Sequence, residues 1–227
     1  MMAIAATADH ADPNKVGHAD NAGGHIDGHG TPRHVDHQGP ASRRIITGYG
    51  FWIFLLSDII MFSAFFASYA VLSGEVAGGP SGHDLFDLKR VAIETACLLL
   101  SSFTCGLAML GLEARRIGLF YAAMTATFVL GAAFLGLELL EFGEMIAQGA
   151  GPGRSAFLSA FFTLVGCHGL HVTIGLLWLL TMMAQVFAKG ARPDILRRVL
   201  CFSLFWHALD IIWVALFTVV YLYGAGA

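Results

Sequence analysis

The chain has 227 residues, of which 56% are apolar and only 13% charged, and its formal net charge is −3. An ordinary soluble domain carries roughly 25% charged residues, and without a basic face nucleic-acid binding is excluded as a main role. Nine of the thirteen basic and sixteen acidic residues fall in residues 1–44, so the remainder cannot clothe a water-facing surface and reads as an all-α membrane protein.

Residues 1–44 carry six histidines (His10, His18, His25, His29, His34, His37), five Asp, six Gly and three Pro, with no apolar period. Such a segment cannot offset the entropy of ordering, so it is expected to be a disordered cytoplasmic tail. Its histidines serve either as a solubilising leader or as loose metal chelators. No short apolar stretch marks a secretory signal peptide, and the first apolar run, after Arg43-Arg44, is too long to be one.

Residues 45–227 form the expected transmembrane domain. A crossing helix needs ~20 mostly apolar residues, and five runs qualify, at about 48–72, 91–112, 117–140, 156–188 and 199–224. The expected fold is a five-transmembrane-helix bundle. Its basic residues alternate between loops. Arg43, Arg44, Arg115, Arg116, Lys189, Arg192, Arg197 and Arg198 lie on one side, against Lys89, Arg90 and Arg154 on the other. The positive-inside rule therefore places the N-terminus in the cytoplasm and the C-terminus outside. Cys97, Cys105, Cys167 and Cys201 lie in apolar runs without C-x-x-C spacing and read as small packing residues.

Ionisable groups inside a span are costly and mark places of interest. Asp58, among aliphatic residues of the first run, needs a partner, either the histidine of the fifth run or a group on another subunit. Glu138, Glu141 and Glu144 stand at i, i+3, i+6, each turned about 60° from the last, so they share one side of a helix. They read either as a proton-exchanging or lipid-headgroup site, or as a helix end emerging into water, which suits Glu144 best. His168 and His171 share a face of the fourth run. Two residues of one helix cannot bind opposite faces of a haem. Hydrogen-bonded structural histidines are the simpler reading, and a pair from two helices, such as His168 with His207, stays geometrically open. In the fifth run Trp206, Asp210 and Trp213 share a face with His207 beside it, either a clamp between helices or a paired buried site. Phosphate loops and H-E-x-x-H zinc motifs are absent from the sequence.

The stretches His168-Gly169-Leu170-His171-Val172 and Phe205-Trp206-His207-Ala208-Leu209-Asp210-Ile211-Ile212-Trp213 resemble the signature stretches of subunit III of haem–copper terminal oxidases. Glu138-Leu139-Leu140-Glu141-Phe142 resembles that family's carboxylate site. Gly50-Phe51-Trp52-Ile53, Tyr69-Ala70-Val71-Leu72, Ala77-Gly78-Gly79-Pro80 and the run from Arg154 to Phe162 resemble the ubiquinol-oxidising, bo-type branch. The resemblance covers roughly residues 45–224. It implies an accessory subunit of a respiratory complex in a bacterial inner membrane, beside subunits I, II and IV. The complex would oxidise ubiquinol, reduce O2 to water and translocate protons, with haem and copper in subunit I and none in this chain. It also implies that Glu141, with Glu138, matches the buried proton- or lipid-associated carboxylate. By the same resemblance, His168, His171, His207 and Asp210 are structural or phospholipid-associated; Trp206 and Asp58, read from their places in the spans, are expected to join them as structural or lipid-associated groups. Many members of the cytochrome c branch have seven helices, so five spans favour the quinol branch. Subunit III of a cytochrome c oxidase is the neighbouring alternative. A small proton-coupled transporter, suggested by Glu138, Glu141 and Asp210, belongs to another class, against which the odd span count and missing repeat weigh.

Overall fold

The computed structural model describes residues 43–75, 87–190, 192–222 and 224. The histidine-rich tail and the Gly78-Gly79-Pro80 turn lie outside these. Helix α1 runs Arg43–Leu72, α2 Leu88–Glu113, α3 Ile117–Ala147, α4 Ala156–Lys189 and α5 Pro193–Leu216, and a π-helix continues from α5 over Phe217–Leu222. The described residues contain no strand, and all five helices are long and apolar enough to cross a membrane.

Several helices outrun the apolar stretches that predict them, because polar residues continue the turn once they are capped or paired. Helix α1 begins at Arg43, so the expected tail boundary at residue 44 falls inside it. Helix α2 gains a turn from Asp87, whose carboxylate accepts the Lys89 amide at 3.0 Å. Helix α5 starts at Pro193, whose fixed φ suits a first helical position. Asp194 in that first turn meets the positive end of the helix dipole and pairs with Arg197. Helix α3 extends to Ala147, past the apolar run that stops at about residue 140, and carries Glu141 and Glu144 as their spacing predicts.

The ends are as specific as the starts. Ser155 caps α4 by accepting the Leu158 amide at 3.2 Å. Helix α3 closes in a Schellman turn: the Ala150 amide donates to the Met145 carbonyl at 2.9 Å and that of Gly149 to Ile146 at 3.0 Å. Gly149 takes φ 76°, where a side chain would be strained.

Helices α2 and α3 form a tight antiparallel hairpin, α3 also packs on α4, and α1 lies across α4 and α5. Helix α5 touches α1, α2 and α4 and is the most enclosed of the five, whereas α1 is the least. Lipid gives helices no hydrophobic reason to associate, so close packing and hydrogen bonds must do it. Trp206 of α5 supplies both. Its ring lies so near Gly131 of α3 and Gly175 of α4 that added methyl groups would stand 3.0 and 2.8 Å from ring carbons. Its indole N–H donates to Ser101 Oγ of α2 at 3.0 Å.

Candidate functional site: a buried carboxylate end

Three acidic side chains from two helices meet beneath one end of the bundle. Glu94 lies nearly two turns inside the start of α2 and is fully buried; Glu138 and Glu141 lie near the end of α3 at 1% and 4% exposure. The antiparallel hairpin produces this meeting, since residues entering along α2 pass residues leaving along α3. Glu94, Glu138 and Glu141 lie within electrostatic reach of one another. The Tyr221 hydroxyl, on the π-helix, donates to Glu141 Oε2 at 3.2 Å. Glu138 presses on α4, where a Cβ on Gly169 would lie 2.6 Å from its Oε1. Both oxygens of Glu94 and Oε2 of Glu138 are buried without a hydrogen-bond partner.

Toward the end of the bundle, Glu144 leaves the core and forms a two-pronged ion pair with Arg90, at 2.6 and 3.2 Å. This fits the reading of Glu144 as an emerging helix end. A cavity of about 100 Å3 lies there, lined by Asp87, Arg90, Glu141, Glu144, Met145 and Gln148. It connects the ion pair to the first of the deeper carboxylates.

The other candidates occupy separate places. His168 is fully buried, faces the Leu209 carbonyl with Nε2 at 3.3 Å, and lies against the Trp213 ring at 5.1 Å. His171 turns Nδ1 to the Cys167 carbonyl of its own helix at 2.7 Å and its ring edge to Phe62. His207 bonds Ser102 Oγ of α2 at 2.6 Å, and Asp210, three residues on, keeps one buried oxygen without a partner. Trp213, like Trp206, donates to an α2 hydroxyl, here Thr95 Oγ1 at 3.0 Å. The fifth-run stretch thus clamps α5 to α2. Asp58 shares a small cavity with His171, Phe62 and Phe205. The histidine across from it is that of α4, while His207 of α5, the sequence-level candidate, bonds to Ser102. The described residues contain no group of three or more His, Cys, Asp or Glu arranged to hold a metal ion, and all four cysteines are free.

Glu94 and Tyr221 are members of the carboxylate end that the sequence does not single out. Glu94 is one charge in an apolar run, and only the register of the hairpin sets it beside Glu138 and Glu141. Tyr221 is one of several aromatics near the chain end, and its aim depends on the wide π turn.

Comparison with known proteins agrees with this frame. Over 179 residues the chain is 55% identical to the Cytochrome bo(3) ubiquinol oxidase subunit 3 of Pseudomonas aeruginosa, covering 79% of this chain and 86% of that protein. It is 53% identical over 180 residues to the protein of the same name from Pseudomonas putida, covering 79% and 86%. It is 42% identical over 178 residues to the Cytochrome c oxidase subunit 3 of Bacillus sp. (strain PS3), covering 77% and 84%. The family model described as Cytochrome c oxidase subunit III matches residues 34–225. Helix count, polar clamps and sequence match converge, and the chain belongs to the cytochrome c oxidase subunit III family.

Proposed function

We propose that this chain is the accessory subunit III of a bacterial bo-type ubiquinol oxidase. Its complex oxidises ubiquinol, reduces O2 to water and translocates protons across the inner membrane. The observation that carries this reading is the 55% identity to a protein named as that subunit, sustained over four fifths of the chain. The chain does no redox chemistry itself. Its three described histidines each serve a local hydrogen bond rather than a shared centre, which suits haem and copper held by subunit I. Subunits I, II and IV and membrane phospholipids are its partners. The N-terminus faces the cytoplasm and the C-terminus the periplasm, because the basic loops lie at the N-terminal side. The carboxylate end then lies toward the periplasm. Glu141 and Glu138 are its proton- or lipid-associated groups, and His168, His171, His207, Asp210, Trp206 and Asp58 hold the frame and its lipids.

The 42% identity to a cytochrome c oxidase subunit 3 keeps the other electron donor as a second reading. The transporter reading has no observation in its favour beside the family match. The donor assay separates the two oxidases. The complex is isolated through a tag on this chain, and O2 uptake is followed with ubiquinol or with reduced cytochrome c. Uptake driven by ubiquinol is expected; uptake driven by cytochrome c alone overturns the reading.

A second expectation concerns Glu141→Gln. That complex assembles and starts at the normal rate, then loses activity during turnover faster than the parent. An unchanged progress curve would reduce Glu141 to a packing role.

A further inference from the structure

The carboxylate end holds more negative charge than its surroundings can balance. Glu94 and Glu138 are at most 1% exposed, and three of their four oxygens have no hydrogen-bond partner. Glu141 has the Tyr221 hydroxyl. Among the described residues, the cation that acts on the cluster is Arg90, which already pairs with Glu144. Each uncompensated ion buried in a low-dielectric site costs several kcal/mol. Three ionised carboxylates would therefore force the α2–α3 hairpin apart, yet these helices pack tightly. Among the described residues, the groups that face the cluster make no other balance available. Helix α2 contributes Asp87, Arg90 and Glu94, α3 contributes Glu138, Glu141 and Glu144, and the π-helix contributes Tyr221. On α4 the neighbour is Gly169, and His168 beside it is turned to the Leu209 carbonyl.

The layout also has a direction. Along α3 the carboxylates descend from exposed Glu144 through Glu141 to Glu138, six residues or ~9 Å along the axis. The cavity of about 100 Å3 at the Arg90–Glu144 pair reaches Glu141 and stops there. Beyond it the unpartnered oxygens of Glu94 and Glu138 are enclosed. Polar groups thus lead inward from the membrane edge to a closed end.

We infer that Glu94, Glu138 and Glu141 form a proton-holding site that exchanges with water through the Arg90–Glu144 mouth. A hydronium ion at the mouth gives its proton to a carboxylate oxygen, leaving water and a neutral acid, and release runs the same step backwards. No electron moves and no bond to carbon changes. The unpartnered oxygens are the places where the held protons reside or are shared. Tyr221 orients Glu141, which stands between the mouth and the deeper pair.

The inference deepens the proposed reading of Glu141 and Glu138, and uses the intact complex only as the setting in which the chain is folded. Its test does not depend on the electron donor. Infrared difference spectra of the tagged complex are recorded as bulk pH is stepped, in H2O and D2O. The expected result is a carboxylic acid C=O band that grows and shrinks reversibly with pH and shifts in D2O. That band is lost in Glu94→Gln and in Glu138→Gln, and in Arg90→Gln its deuterium exchange is faster by a measurable factor. An acid band that neither titrates nor exchanges overturns the inference, since it describes a fixed structural proton. A titrating band unchanged in both glutamine variants overturns it too. So does a carboxylate response to sodium in place of a response to pH. The wild-type titration and exchange keep the inference testable should either variant fail to assemble.

Discussion

Replacing Trp206 with alanine is expected to destabilise the bundle by about 3–5 kcal/mol, the range for emptying a large buried aromatic site. The ring is 1% exposed and is enclosed by glycines of two helices, Gly131 and Gly175. Those glycines exist to admit it, so nothing nearby can move in when it is removed. The neighbouring Phe202 ring, 5.8 Å from Trp206, is itself held against Trp178 at 5.8 Å. Trp206→Phe keeps most of the ring but loses the N–H to Ser101, and should cost about 1 kcal/mol. Heat inactivation of the complex in mild detergent would rank the three forms. Equal losses for alanine and phenylalanine would mean that the hydrogen bond, rather than the filled volume, holds α5 in place.

The second large effect is expected at Gly169. An alanine there sets its Cβ 2.6 Å from Glu138 Oε1 and 3.0 Å from Oε2. The carboxylate ends a flexible side chain, but it is enclosed on every side, so it cannot swing out to water. Overpacking of this kind costs about 1–3 kcal/mol. The double variant Gly169→Ala with Glu138→Ala keeps the added methyl group but removes the carboxylate that it would strike. It should be more stable than the sum of the single effects, with a coupling of about 0.5–3 kcal/mol. Chemical denaturation of all four forms measures that coupling. Strict additivity would show that Gly169 serves helix crossing alone and makes no room for the acid.

Both predictions depend on positions that the sequence presents unevenly. The five spans are legible because lipid demands long apolar helices, and no later packing alters that demand. The two tryptophans and His168 are legible as inward groups because a helix repeats every 3.6 residues. Helix ends are less so. Asp194 and Glu144 belong to helices because the helix dipole and ion pairs carry the turn past the apolar run, and hydropathy does not register such terms. Contacts between helices are least legible. The placement of Glu94 with Glu138, of Arg90 with Glu144, and of Asp58 near His171 depends on register and crossing, which residues far apart in sequence decide together. Tyr221 adds a further case, since a π turn offsets every residue after it from the α period.

The hydroxyl bonds from α2 to α5 have one more consequence. Thr95 meets Trp213, Ser101 meets Trp206 and Ser102 meets His207, so the two antiparallel helices are joined at two levels, six residues apart along α2 and about as far apart along α5. The three bonds work like teeth on a rack. A slide of α5 by a single turn would disengage all of them together, leaving two indole N–H groups against hydrocarbon where no water can replace the lost acceptor. Dispersion forces alone would tolerate several alignments of two greasy cylinders. This toothed seam selects one, and in doing so it fixes the height at which Tyr221, farther along the same helix, arrives at Glu141.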